Sequence, residues 1–153
     1  MNQQLYETAT ILMQDHPTQL SVMSNLASLL YNELPDLNWV GFYLNQGDHL
    51  ILGPFMGKPA TTLIPFHRGV CGECMRLKKT VYVPDVHKHP DHIACDAASQ
   101  SELVIPLILN GELIGVLDID SPVINRFDKE TIHVLEKIVS DLVNTIDNIP
   151  FFK

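Results

Sequence analysis

Apolar residues recur every three or four positions at the two ends of this chain and run in short strand-like blocks between them. Thr18 precedes Val22, Met23, Leu26, Leu29 and Leu30, a helical spacing that predicts a helix capped by Thr18 and ending near Pro35. A shorter helix is expected before it, around Leu5 to Met13. Near the other end, Ile132, Leu135, Ile138, Val139, Leu142 and Ile146 form one apolar stripe, which predicts an amphipathic helix capped by Asp128. Between these helices, NWVGFYL runs through the turn NQGD into HLILGPF, the pattern of a β-hairpin. IPFHRGV leads into a short helix beginning near Cys71, and TVYVP reads as a strand. ELVIPLIL and ELIGVLDID flank Asn110-Gly111, a strong two-residue turn signal, and predict a second hairpin. The segment DVHKHPDHIACDAASQS is polar and proline-punctuated, and it is long enough for a functional loop. With no repeat, low-complexity stretch or linker, the pattern predicts one α+β domain over residues 1–153.

Composition narrows the classes. Of 153 residues, 46% are hydrophobic and 18% charged, as in a compact domain with a proper core. No unbroken apolar run is long enough for a membrane span. The start, MNQQLYETATILMQDHP, lacks the basic and apolar blocks of a secretion signal, so a cytoplasmic location is expected. A net charge of −8 argues against nucleic-acid binding, which relies on Lys and Arg to neutralise phosphates. Three cysteines, Cys71, Cys74 and Cys95, cannot all pair within one chain; in a reducing compartment they suit catalysis, metal binding or burial.

Strand alternation groups the candidate chemistry. Trp39 and Tyr43 lie four residues apart and project from one strand face; Asp118 and Asp120 share a face of theirs. Glu102 is a third candidate acid. Clustered carboxylates repel one another unless one is protonated or a cation sits among them, and an aromatic wall beside them suits a cationic ligand with a polarizable tail. The plainer alternative makes the aspartates solvated strand-end residues and Trp39 a packing residue. Cys71, placed at or near a helix N-terminus, is expected to be favoured as thiolate, with Cys74 on the same helix face. Either can equally be a small buried hydrophobe.

Cys71, Cys74, His87 and His92 also match the formal spacing of a Cys₂His₂ zinc finger. Pro84 and Pro90 interrupt the helix such a finger needs, so the match is an accident of spacing. A Cys₃His site using Cys71, Cys74, Cys95 and one histidine remains chemically open. Individually, His87, His89 and His92 read as exposed loop residues.

The succession NWVGFYL, LGPFMGKPA, IPFHRGVCG, VPDVHKHPDHIACDAASQSELVIPL and GVLDIDSP resembles the free methionine-(R)-sulfoxide reductases built on a GAF domain. The resemblance runs from about Asn38 to Pro122. It implies a six-stranded antiparallel sheet with N- and C-terminal helices packed on it, a buried small-ligand pocket and a homodimer. It implies Cys95 as nucleophile and Cys71 as partner thiol. Trp39 and Tyr43 would wall the methyl-sulfur end, while Glu102, Asp118 and Asp120 would hold the ammonium and assist at the sulfoxide oxygen, with Glu102 or Asp120 as the proton donor. The implied chemistry reduces free methionine sulfoxide through a Cys95 sulfenic acid and a disulfide that a thioredoxin-like dithiol restores, with no metal or organic cofactor.

One position departs from the pattern. Where the family has cysteine after GKPA, this chain has Thr61, so its usual resolving thiol is absent. Cys71 is then expected to resolve Cys95, with Cys74 a relay or idle. Two other classes stay open: a non-catalytic GAF sensor of a methionine-like molecule, and a zinc-stabilised interaction module using Cys71, Cys74 and Cys95.

Overall fold

A computed structural model describes residues 2–14, 16–92 and 97–152. Two helices, α1 (Asn2–Leu12) and α2 (Gln19–Glu33), precede the hairpin of β1 (Trp39–Asn45) and β2 (His49–Gly57). There follow β3 (Leu63–Pro65), α3 (Gly69–Leu77) and β4 (Val81–Val83), then a 3₁₀ turn at Val86–Lys88. The second hairpin, β5 (Ser101–Leu109) and β6 (Glu112–Ser121), leads to α4 (Lys129–Ile146). The six strands form one antiparallel sheet in the order β3-β2-β1-β6-β5-β4.

Local signals account for the ends of these elements. Thr18 Oγ1 accepts from Ser21 N at 3.1 Å, and Asp128 Oδ1 accepts from Thr131 N at 2.8 Å, so both expected caps form. Asn110 and Gly111 both take positive φ, 52° and 83°, which a type I′ hairpin turn requires. β2 carries an extra residue opposite β1 between Gly41 and Tyr43. The irregularity falls where Pro54 would otherwise remove a ladder hydrogen bond.

Two boundaries differ from the sequence expectation. β3 is a strand of its own, and α3 starts at Gly69 rather than near Cys71. The earlier start has a long-range cause: Arg68 at the N-cap makes no side-chain cap bond, and Asp91 Oδ2 accepts from Gly69 N at 2.9 Å instead. Asp91 also pairs with Arg68 Nε at 2.8 Å, so one loop carboxylate fastens both the helix end and the residue before it.

The two faces of the sheet have different partners. Val40, Phe42, Leu103, Ile105, Leu117 and Ile119 join α1, α2 and α4 in a continuous apolar core. On the opposite face, Trp39, Tyr43, Val104 and Val116 pack with Val70, Cys71, Cys74 and Met75 of α3. Among the described residues, no helix is long and apolar enough to cross a membrane.

Candidate functional site

The site lies on the α3 face and is assembled by register. In the β1–β6–β5 ladder, Trp39 stands opposite Asp120, and Asp120 opposite Glu102. One step along, Gly41 faces Asp118, and Asp118 faces Val104. Directly opposed residues share a sheet face, so the aromatic and acidic residues come from three strands onto one surface. That surface is buried: Trp39, Tyr43, Glu102, Asp118 and Asp120 are each less than a tenth exposed. The acids are therefore not solvated strand-end groups.

Trp39 stacks between two rings, with Phe55 at 5.3 Å (16° between planes) and Tyr43 at 5.9 Å (25°). Its Nε1–H donates to the Lys58 carbonyl at 3.1 Å, and the Tyr43 hydroxyl donates to the Thr61 carbonyl at 2.8 Å. The indole lies across Gly41, where a Cβ would come within 2.5 Å of its Cη2 and collide with Phe55. Any side chain at Gly41 would push the wall out of place. Thr61 thus contributes its backbone carbonyl to the aromatic wall.

Beside this wall, a cavity of about 20 Å³ is lined by Tyr43, Cys71, Glu102, Asp118 and Asp120, with His92 and Ser99 at its loop side. The Cys71 sulfur and carboxylate oxygens of Glu102 and Asp118 lie within 4.8 Å of one another. Burial, reinforced by the charge of Glu102 and a hydrogen bond to it, pushes the Asp118 carboxyl well above the usual carboxylate range. The other Asp118 atom, Oδ1, is buried and has no hydrogen-bond partner among the described residues. A buried acceptor of that kind costs about 1–3 kcal/mol, a cost a bound donor or cation would remove.

The cysteines depart from the expectation of a helix-favoured thiolate. Cys71 is the third residue of α3, but burial and then the negative charges of Asp118, Glu102 and Asp120 push its thiol well above the ordinary value. A helix N-terminus is worth about 0.3–1 kcal/mol at ordinary sites, and full burial outweighs it. The Cys71 thiol instead hydrogen-bonds to Asp118. Cys74 is completely buried, its thiol contacts the Val104 carbonyl at 3.8 Å, and burial followed by the charges of Asp118 and Glu73 pushes it up to about 12. Cys74 does not enter the cluster of Cys71, Glu102 and Asp118. Cys95, the expected nucleophile, lies outside the described residues.

The loop histidines are not all exposed. His92 Nε2 approaches Glu102 Oε1 at 3.3 Å, with its side chain only 12% exposed, and burial lowers its pKa. His89 Nε2 meets Glu73 Oε1 of α3 at 2.7 Å, and only His87 of the three is exposed. Asp91 and His89 thus tie the long loop to α3, and His92 ties it to β5. Sequence reasoning missed Asp91, His89 and His92 as positioning groups. The only local hint was a dense run of polar, charged residues in a loop.

Comparisons with known proteins match both the fold and the site-bearing segment. The GAF domain family profile matches residues 20–147. The chain is 47% identical over 131 residues to the free methionine-R-sulfoxide reductase of Escherichia coli, an alignment covering 86% of this chain and 79% of the relative. It is 46% identical over 136 residues to protein YtsP of Bacillus subtilis, covering 88% and 81%. Among solved structures, the fRMsr of Staphylococcus aureus in complex with substrate superimposes with a TM-score of 0.90 at 43% identity, covering 95% of each chain.

Proposed function

The chain belongs to the GAF-domain family that includes the free methionine-R-sulfoxide reductases, and on that premise we propose that it reduces free methionine-(R)-sulfoxide to methionine through its own thiols. The observation that carries this reading is the buried row Trp39–Asp120–Glu102, with Asp118 and Cys71 beside it, on the sheet face away from the helical core. Cys95 follows His92 by three residues and precedes Ser99 by four, and both of those residues line the cavity.

The chemistry balances with these groups. The Cys95 thiolate attacks the sulfoxide sulfur, whose methyl end rests against Trp39 and Tyr43, while a carboxyl group protonates the departing oxygen. In this reading Glu102 makes that transfer, and Asp118, hydrogen-bonded to Glu102 and with its pKa raised by burial, resupplies it. Asp120, opposite Trp39, completes the anionic end that receives the ammonium. Methionine leaves and Cys95 becomes a sulfenic acid. The Cys71 thiol then gives its proton to the adjacent Asp118 carboxylate, its sulfur attacks the Cys95 sulfur to form a Cys71–Cys95 disulfide, and the displaced hydroxide takes that proton back from Asp118 and leaves as water. An external dithiol of the thioredoxin type takes the oxidising equivalent and returns both thiols. The working unit in this reading is a cytoplasmic homodimer.

The test is turnover of the separated sulfoxide isomers with a thioredoxin system. Activity selective for the R isomer and absent in Cys95→Ser is expected. In Cys71→Ser, a single stoichiometric burst of methionine should persist while steady-state turnover collapses. Binding without reduction of either isomer would leave a small-molecule sensor in place of an enzyme.

A further inference from the structure

We propose that the reduced, ligand-free cavity is a binding site for one divalent metal ion of the zinc class, held by Cys71 Sγ, Glu102 and Asp118. Three observations meet here. The donor atoms of these residues come from three elements (α3, β5 and β6) and already lie within 4.8 Å of one another, close enough to converge on one ion with small side-chain adjustment. Asp118 is buried, lines the cavity and has an oxygen, Oδ1, without a partner among the described residues. In this ligand-free state the cavity, about 20 Å³, has room for a single water or ion.

The donor set selects the class of ion. One thiolate with two carboxylates suits zinc, which accepts sulfur and oxygen donors together in tetrahedral sites and leaves a fourth position for water. Calcium and magnesium require six or more oxygen ligands, and copper(I) prefers an all-sulfur set. An ion here would also reverse the local electrostatics, since buried anionic groups that repel one another become mutually compatible around a dication. It would occupy Glu102 and Asp118, the acids of the proposed proton relay, and hold the sulfur of Cys71. If the proposed reductase reading is right, zinc therefore inhibits this chain competitively with substrate.

The experiment uses cobalt(II) as the probe, added anaerobically to the reduced full chain without substrate. A thiolate-to-cobalt charge-transfer absorption with intense tetrahedral visible bands is expected, displaced by one equivalent of zinc. The charge-transfer band should vanish in Cys71→Ser and persist in Cys95→Ser. Cobalt affinity should fall at least about tenfold in both Asp118→Asn and Glu102→Gln, each nearly isosteric with the residue it replaces. A band that survives Cys71→Ser, or a smaller fall in either carboxylate variant, overturns the proposal. Should Cys71→Ser fail to fold, the two carboxylate variants decide alone. Because binding is read without substrate, a chain that takes cobalt in this way but reduces no sulfoxide would overturn the proposed function and leave this site standing. An active chain with no cobalt site would do the reverse.

Discussion

The two faces of one strand, β6, show how this domain divides its work. Leu117 and Ile119 point into the apolar core formed with α1, α2 and α4. Asp118 and Asp120, their immediate neighbours in sequence, point the other way into a cavity with a thiol and a third acid. The first face gains free energy by removing apolar surface from water, at about 25 cal/mol per Å². The second face loses some by burying carboxyl groups near one another, one of them with an oxygen that has no partner among the described residues. The lesson is that the helical face stabilises the sheet strongly enough to hold the opposite face in an arrangement unfavourable by itself. Substitutions on the two faces should therefore separate stability from activity.

The largest expected effect lies on the helical face. Phe42 is fully buried in that core, and Phe42→Ala should cost about 3–5 kcal/mol, read as a fall in the urea unfolding midpoint. A cost under about 1 kcal/mol would mean that this face is not the stabilising one. On the opposite face, Glu102→Gln should lower kcat by about 10²- to 10⁴-fold while the unfolding midpoint holds or rises. Equal losses of activity and stability would erase the contrast.

Asp118 sharpens the comparison through pH. Burial and the charge of Glu102 raise its folded-state pKa, so the folded protein holds this proton more tightly than the unfolded chain does. The resulting stabilisation is complete below the ordinary carboxylate range, about pH 4, and is lost as pH rises through the raised value. The unfolding free energy of the reduced, ligand-free protein should therefore contain a component that declines with rising pH across that window. Asp118→Asn should remove it and be the more stable protein near neutrality. A variant with an unaltered pH slope would show that this carboxyl is not held protonated.

The smallest effect concerns the loop. Asp91→Ala removes the cap on Gly69 and the partner of Arg68, and should cost about 1 kcal/mol. Its diagnostic feature is a larger loss in kcat/KM than a peripheral surface change of that size would give, because α3 carries Cys71. Normal kinetics in this variant would make the loop anchorage purely structural.

Much of this molecule was legible locally. The Thr18 and Asp128 caps, the Asn110-Gly111 turn and the amphipathic stripe of α4 depend on residues within a few positions of one another, and each formed as expected. The pairing of Trp39 with Tyr43, and of Asp118 with Asp120, on single strand faces followed from the two-residue period alone. The resemblance to the reductase family added the expectation that these faces meet. Less legible were contacts between distant segments: the cap that Asp91 gives to α3, the approach of His92 to Glu102, and the hydrogen bond of His89 with Glu73. The thiol of Cys71 was misjudged for a related reason. Its position near a helix start is a local fact, whereas the burial that raises its pKa is a tertiary one, and the acids that raise it further arrive from β5 and β6.

By itself, then, the order of residues determined which side chains share a face, where helices and turns begin, and which acids, rings and thiols were available. Only the tertiary structure decided that β6 lies between β1 and β5, which sets Trp39 against Asp120 and Asp120 against Glu102. Side-chain alternation and capping are enforced by covalent geometry over a few residues. Strand order, burial and the pKa values that burial shifts depend on how the whole chain shares out its contacts.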